Sequence, residues 1–208
     1  MITVVGTLKG GSGKSTLAFN LGIWLATKNQ NVTLVDLDPQ CTLSDALEVR
    51  EEDGYLPAVR RHTKLSKEWV NAAEEHILID VGTANMTGLK KAISLADRVI
   101  MPVAPSQADI WSTQRFLLLV ASTIQEKPPQ MLAFLNRADT NAAVRETAQA
   151  LEALRLLPGI FVLDATLGQR TAFRRSFSEG RAVFELEPKG KAANELHKLA
   201  KLIYPDLK

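Results

Sequence analysis

Ten residues near the start, Gly6-Thr7-Leu8-Lys9-Gly10-Gly11-Ser12-Gly13-Lys14-Ser15, constrain the fold of this chain more than any other stretch. They close in Gly13-Lys14-Ser15, the G-K-[ST] end of the phosphate-loop spacing G-x-x-x-x-G-K-[ST], with Leu8 in place of its first glycine; they follow an apolar run at residues 2–7, and open an amphipathic segment at 14–28 that carries Leu17, Leu21, Trp24 and Leu25 on one side. A strand that turns through glycines into a helix start aligns backbone N–H groups around a small concavity, and the positive end of the helix dipole adds to the field. That concavity fits phosphate. On this reading Gly10, Gly11, Ser12, Gly13 and Thr16 cradle the phosphates of ATP, Lys14 meets the β and γ groups, and the Ser15 hydroxyl ligates Mg²⁺. The competing reading, a glycine-rich turn that only caps a helix, explains neither the spacing nor the lysine.

The alternation of apolar run and helical pattern continues along the chain. Runs rich in Val, Ile and Leu occur at 32–36, 77–81, 98–103, 131–136 and 160–163, with a further helical stretch at 111–125. Little polar alternation within the runs implies strands covered on both faces, so the expected class is α/β, a predominantly parallel sheet with helices on both faces. Ligands of such sheets sit at the carboxyl ends of the strands. With 46% hydrophobic and 23% charged residues, the chain is expected to form one domain over residues 1–208. No apolar run approaches the roughly 18 to 20 residues that span a bilayer. The single Cys41 excludes an internal disulfide, and His62, His76 and His197 lack metal spacing, so a cytoplasmic location is expected.

Two further strand ends carry carboxylates. In Val32-Thr33-Leu34-Val35-Asp36-Leu37-Asp38-Pro39-Gln40 the acids stand at i and i+2, which points both the same way at the end of a strand. Strand-end or helix-capping acids ahead of Thr42 and Ser44 are the alternative. Ile77-Leu78-Ile79-Asp80 ends a third strand in a carboxylate suited to hold Mg²⁺ through water.

The loop Lys9-Gly10-Gly11-Ser12-Gly13-Lys14-Ser15-Thr16 resembles the deviant Walker A motif of the ParA/MinD superfamily of P-loop ATPases. The segments 32–40 and 101–109, the latter Met-Pro-Val-Ala-Pro-Ser-Gln-Ala-Asp, are similar to others of that family, as is Leu135-Asn136-Arg137. The family often has a proline soon after the acid that Asp80 matches, whereas here Val81-Gly82-Thr83 follows. The resemblance implies that Lys9 crosses an ATP-sandwich homodimer to the partner's nucleotide, that Asp38 positions the attacking water, that Asp36 and Asp80 stand in or near the metal shell with Ser15, and that Asn136 bonds the adenine. Asp-Pro-Gln favours the partition branch. The implied function is a Mg²⁺-dependent ATPase that dimerises with ATP, binds DNA nonspecifically on the nucleoid and positions a plasmid, chromosome or protein assembly. A ParB-like or cargo-adaptor partner would then trigger release by stimulating hydrolysis. The alternatives are a MinD-like membrane switch, using the amphipathic segment 191–204, and an amide synthase or synthetase of the dethiobiotin and cobyrinic-acid group.

The formal charge of +2 is unevenly spread: residues 170–208 hold nine Lys or Arg against five Asp or Glu. No segment precedes the first strand to carry a helix-turn-helix, so DNA contact is expected from the domain's own surface, chiefly Arg170, Arg174, Arg175 and Arg181. Helical spacing puts Phe173 and Phe177 on one stripe to anchor that segment. The run Arg50-Glu51-Glu52-Asp53 reads as a solvated turn, His76 as a solvated helix end, Cys41 as having no redox role, and Trp24, Trp69 and Trp111 as core or interface residues.

Overall fold

The computed structural model describes residues 1–66, 75–124, 127–141 and 145–207; Trp69 lies outside them. Seven strands form one sheet: β1 (Ile2–Val5), β2 (Asn31–Asp36), β3 (Arg60–His62), β4 (Glu75–Asp80), β5 (Arg98–Val103), β6 (Gln130–Ala138) and β7 (Phe161–Gly168). Their order is β3-β2-β4-β1-β5-β6-β7, and every pair is parallel. The central strands are apolar on both sides because helices cover both sides. One core lies under α1 (Lys14–Thr27), α2 (Thr42–Glu52), α6 (Thr171–Ser178), α7 (Val183–Leu186) and α8 (Lys191–Ile203). The opposite core lies under α3 (Met86–Leu95), α4 (Gln107–Thr123) and α5 (Arg145–Arg155).

Register then places the chemistry. Val5 of β1 stands beside Asp80 of β4, and Asp36 of β2 beside Asp80 on the other side. The loop after β1 and three carboxylates therefore converge at the carboxyl edge, where the connections reverse direction across the sheet.

Several expectations from sequence change in the folded chain. Strand β3 was not anticipated, because Arg60, Arg61 and His62 carry no apolar pattern; it is a short, charged edge strand of the kind that blunts edge pairing. Within the 50–53 run Glu51, Glu52 and Asp53 are exposed at the end of α2, but Arg50 is not solvated. Arg50 belongs to the last turn of α2, is 2% exposed, and forks onto Glu185 at 2.8 and 2.9 Å. A guanidinium so deeply placed requires that pairing, since a buried charge without a partner is costly. His76 is not a helix end; it is the second residue of β4, where its ring meets Tyr204 edge to face at 5.4 Å between centroids. Burial, aided by the N-terminal ammonium and Arg98, pushes its pKa below the usual value. Trp24 is core, whereas Trp111 stands 55% exposed on α4.

Candidate functional site

The glycine-rich loop is held by three side chains. Thr7 Oγ1 donates to the Lys9 carbonyl at 3.0 Å and lies 3.0 Å from Ser12 Oγ, closing the loop on itself. From β6, Asn136 Nδ2 donates to the Ser12 carbonyl at 2.7 Å and Arg137 Nη1 to the Gly11 carbonyl at 2.6 Å. Position 13 tolerates only glycine on two counts: its φ is 90°, and a Cβ there would stand 2.6 Å from Asn136 Nδ2. Gly13 is also the N-cap of α1 and offers no side-chain cap, so the first amides of that helix face the cleft with their donors uncapped.

Lys14 sits in this loop at 7% exposure, with Nζ 3.3 Å from the Lys9 carbonyl. Burial lowers its pKa, and the charges of Asp80 and Asp38 pull it back up. Facing it, Asp80 is 1% exposed and neither carboxylate oxygen has a hydrogen-bond partner of normal geometry. Burial drives its pKa up to about 7; the adjacent Ser15 hydroxyl and Lys14 oppose that rise, and Asp36 and Asp38 add to it. An orphaned buried carboxylate beside a serine hydroxyl has the donor chemistry that hard divalent cations take up.

Asp36 behaves differently from the expectation. Its oxygens accept from the Asp38 amide at 3.0 Å, the Ser44 amide at 2.9 Å and Ser44 Oγ at 3.0 Å. It ties β2 to the start of α2, so of the two acids expected in or near the metal shell only Asp80 has both carboxylate oxygens without a hydrogen-bond partner. Asp38 lines the cleft half-buried, its Oδ1 accepting from the Gln40 amide at 2.9 Å. Gly82 explains the departure after Asp80: a Cβ at that position would stand 2.4 Å from Asp38 Cγ.

These residues open onto a cleft of about 770 Å³, within the usual size range of ligand sites. Its floor is Gly10, Gly11, Gly13, Lys14, Ser15 and Thr16; its walls include Asp38, Asn136, Arg137, Gln169, Phe173 and Phe177. Asn136 lines the cleft, but its amide nitrogen is spent on the loop rather than left for a base. Lys9 is held within its own chain, bonded at 2.5 Å to Asp109, whose side chain is only 7% exposed. Asp109 also accepts from Ser106 Oγ at 2.5 Å. Sequence reasoning passed over Asp109 and Thr7, although both stand in segments it had quoted. No sequence signal marks Arg137, whose backbone takes a left-handed φ of 56°.

The four arginines nominated for DNA are not equivalent. Arg170 forks onto Glu195 at 2.6 to 3.0 Å, and that bond raises its pKa. Arg175 contacts Glu179 and Glu187 at 3.1 and 3.2 Å. Arg181 donates to the Glu185 carbonyl at 2.8 Å and lies over the Tyr55 ring. Arg174 is exposed at the cleft rim. The phenyl rings do root α6: Phe173 and Phe177 pack on the α1 core, Phe177 edge to face with Phe19.

Comparison with known proteins agrees with this geometry. The family model described as CobQ/CobB/MinD/ParA nucleotide binding domain matches residues 2–183. The maintenance of carboxysome distribution protein A of Halothiobacillus neapolitanus is 28% identical over 97% of this chain and 95% of its own. Protein ParA of Rhizobium radiobacter is 27% identical over 90% of this chain and 87% of its own. An McdA variant of Cyanothece, solved in complex with ATP, superposes with a TM-score of 0.71 at 19% identity over 97% of this chain and 95% of its own, which speaks for the fold. With its glycine-rich loop and its strand-end carboxylates inside the matched residues, the chain belongs to the ParA/MinD family of nucleotide-binding ATPase domains.

Proposed function

We propose that this chain is an ATP-driven positioning switch: ATP and Mg²⁺ join two copies face to face, the pair holds DNA nonspecifically, and hydrolysis stimulated by a ParB-like or cargo-adaptor partner releases it. The observation that carries the nucleotide step is the placement of buried Lys14 near the unsatisfied Asp80 beside Ser15. Ser15 and Asp80 would hold the metal, which supplies positive charge at the β and γ phosphates. Lys14 fixes those phosphates inside the loop. Asp38, kept in place by Gly82 and the Gln40 amide, orients water for attack. Lys9 is the residue that links chemistry to assembly. Its ammonium is half-exposed, with side-chain exposure of 43%, and must leave Asp109 to reach a nucleotide on another copy. A cation supplied across an interface stabilises charge only when two copies meet, so assembly gates hydrolysis.

The DNA step rests on Arg174 and Arg175. Arg170 is committed to Glu195 and Arg181 to Glu185 and Tyr55, whereas exposed pairs such as Arg175 with Glu179 are weak and exchange readily for phosphate. Arg174→Glu with Arg175→Glu should abolish the ATP-dependent gel shift of random-sequence DNA while ATP turnover stays normal. A persisting shift at moderate salt would remove DNA from the proposal. The membrane alternative loses its apolar stripe, because Ala192, Leu196, Leu199 and Ile203 of α8 are buried against the sheet at 2% exposure or less. Among the described residues no helix is long and apolar enough to cross a membrane.

A further inference from the structure

We propose that the outer face of α3 and α4 is the docking surface for a partner protein that presents an acidic amphipathic helix. Helix α4 is split between two environments. Ile110, Phe116 and Val120 root it in the core, while Trp111 and Leu118 project from the opposite side at 55% and 67% exposure, two turns apart with Arg115 between them. Helix α3 packs alongside and exposes Met86, 39%, with Lys90 and Lys91 after it. Trp, Met and Arg are the residue types that interface centres concentrate, and anchors spaced two turns apart match the helix-in-groove mode of recognition.

Charge selects the occupant. The sequences of α3 and α4 contain one acid, Asp109, which is buried and held by Lys9 and Ser106. Lys90, Lys91 and Arg115 have no carboxylate partner among the described residues, in contrast to Arg50, Arg170 and Arg175. Although α5, which packs on α4, exposes Glu146 and Glu152, an apolar strip whose own two helices expose cations and no acid is complementary to apolar anchors flanked by carboxylates. A second copy fits poorly, because a two-fold contact would set these cations against one another. A lipid surface asks for a continuous apolar face, and here Gln114, Arg115 and Ser122 interrupt it. The face also adjoins the switch. Trp111 lies two residues from Asp109, so a partner seated there acts on the helix start that holds Lys9; that consequence, unlike the surface itself, rests on the function proposed above.

The test is selection of a display library of randomised helical peptides against the whole chain, with the Trp111→Ala, Leu118→Ala double variant as counter-bait. Both positions are exposed, so the variant should fold and turn over ATP as the parent does. Enriched peptides should be acidic, with apolar residues at i, i+3 or i+4, and i+7. A recovered peptide should bind at least about tenfold more weakly to the counter-bait and to the Lys90→Glu, Lys91→Glu, Arg115→Glu variant. Basic peptides, no enrichment over the counter-bait, or equal binding to all three proteins would overturn the proposal. So would co-sedimentation with phosphatidylglycerol vesicles that Trp111→Ala, Leu118→Ala abolishes, or loss of self-association in that variant, which would assign the face to lipid or to a second copy. ATP turnover measured in the same samples keeps the two readings apart: its absence from the parent chain refutes the nucleotide site and leaves the docking surface to be judged by the peptides.

Discussion

Lys14→Ala should lower ATP affinity on the order of a hundredfold or more, corresponding to about 3 kcal/mol lost when one member of a buried charge pair is truncated. The magnitude follows from where the side chain stands. At 7% exposure Lys14 has already given up most of its hydration, and of the nearby acids that hold its charge, Asp80 and Asp38, the first is itself buried and unpartnered. A triphosphate entering the loop meets a desolvated cation in fixed position, and nothing else within the loop can replace it. Calorimetric titration of ATP into parent and variant would measure the loss, with circular dichroism to establish that the variant is folded. Affinity within about threefold of the parent would mean that the phosphates bind elsewhere.

Asp80→Asn should do two opposite things: abolish Mg²⁺-dependent turnover and make the ligand-free protein more stable at pH 8. The sign follows from the direction of its shift. Burial raises the Asp80 pKa to about 7 in the fold, above the usual carboxylate range of the unfolded chain. Across the interval between those values the folded state binds the extra proton, so stability falls as pH rises through it and is lowest above pH 7. A shift of that size, in which the opposing pull of Lys14 is already included, sets a ceiling of about 4 kcal/mol on the cost of the ionised form and so on the gain from asparagine. Urea melts of ligand-free parent and variant at pH 5 and pH 8 would resolve it. The parent should weaken with pH more than the variant does; parallel pH profiles would contradict the reading of Asp80 as a metal-awaiting carboxylate.

The parts of this site that were legible in sequence are those whose chemistry is local. Ten consecutive residues specify the loop, because backbone amides and one lysine supply nearly all of its function, and the strand and helix that position it flank it directly. The sheet was legible for a similar reason: five buried runs besides the first announce themselves by composition, whereas polar β3 does not. Contacts between distant residues were not legible. The i, i+2 spacing showed that Asp36 and Asp38 point one way, yet only the fold reveals that Ser44 occupies Asp36 and that Gly82 packs on Asp38. Likewise Lys9 with Asp109, Asn136 with Ser12, and Arg170 with Glu195 are pairs that no spacing rule connects. Each holds, in the ligand-free chain, a residue that motif reading had assigned to a ligand or to DNA.

The most direct test of the switch is the mass of the protein in solution with and without ATP. Light scattering on the Asp38→Ala variant, expected to bind ATP without hydrolysing it, should give a monomer alone and a doubled mass with ATP and Mg²⁺. Adding Lys9→Ala to that variant should leave a monomer that still binds ATP. A single-chain mass at saturating ATP, or an ATP-dependent dimer that persists without Lys9, would contradict the account.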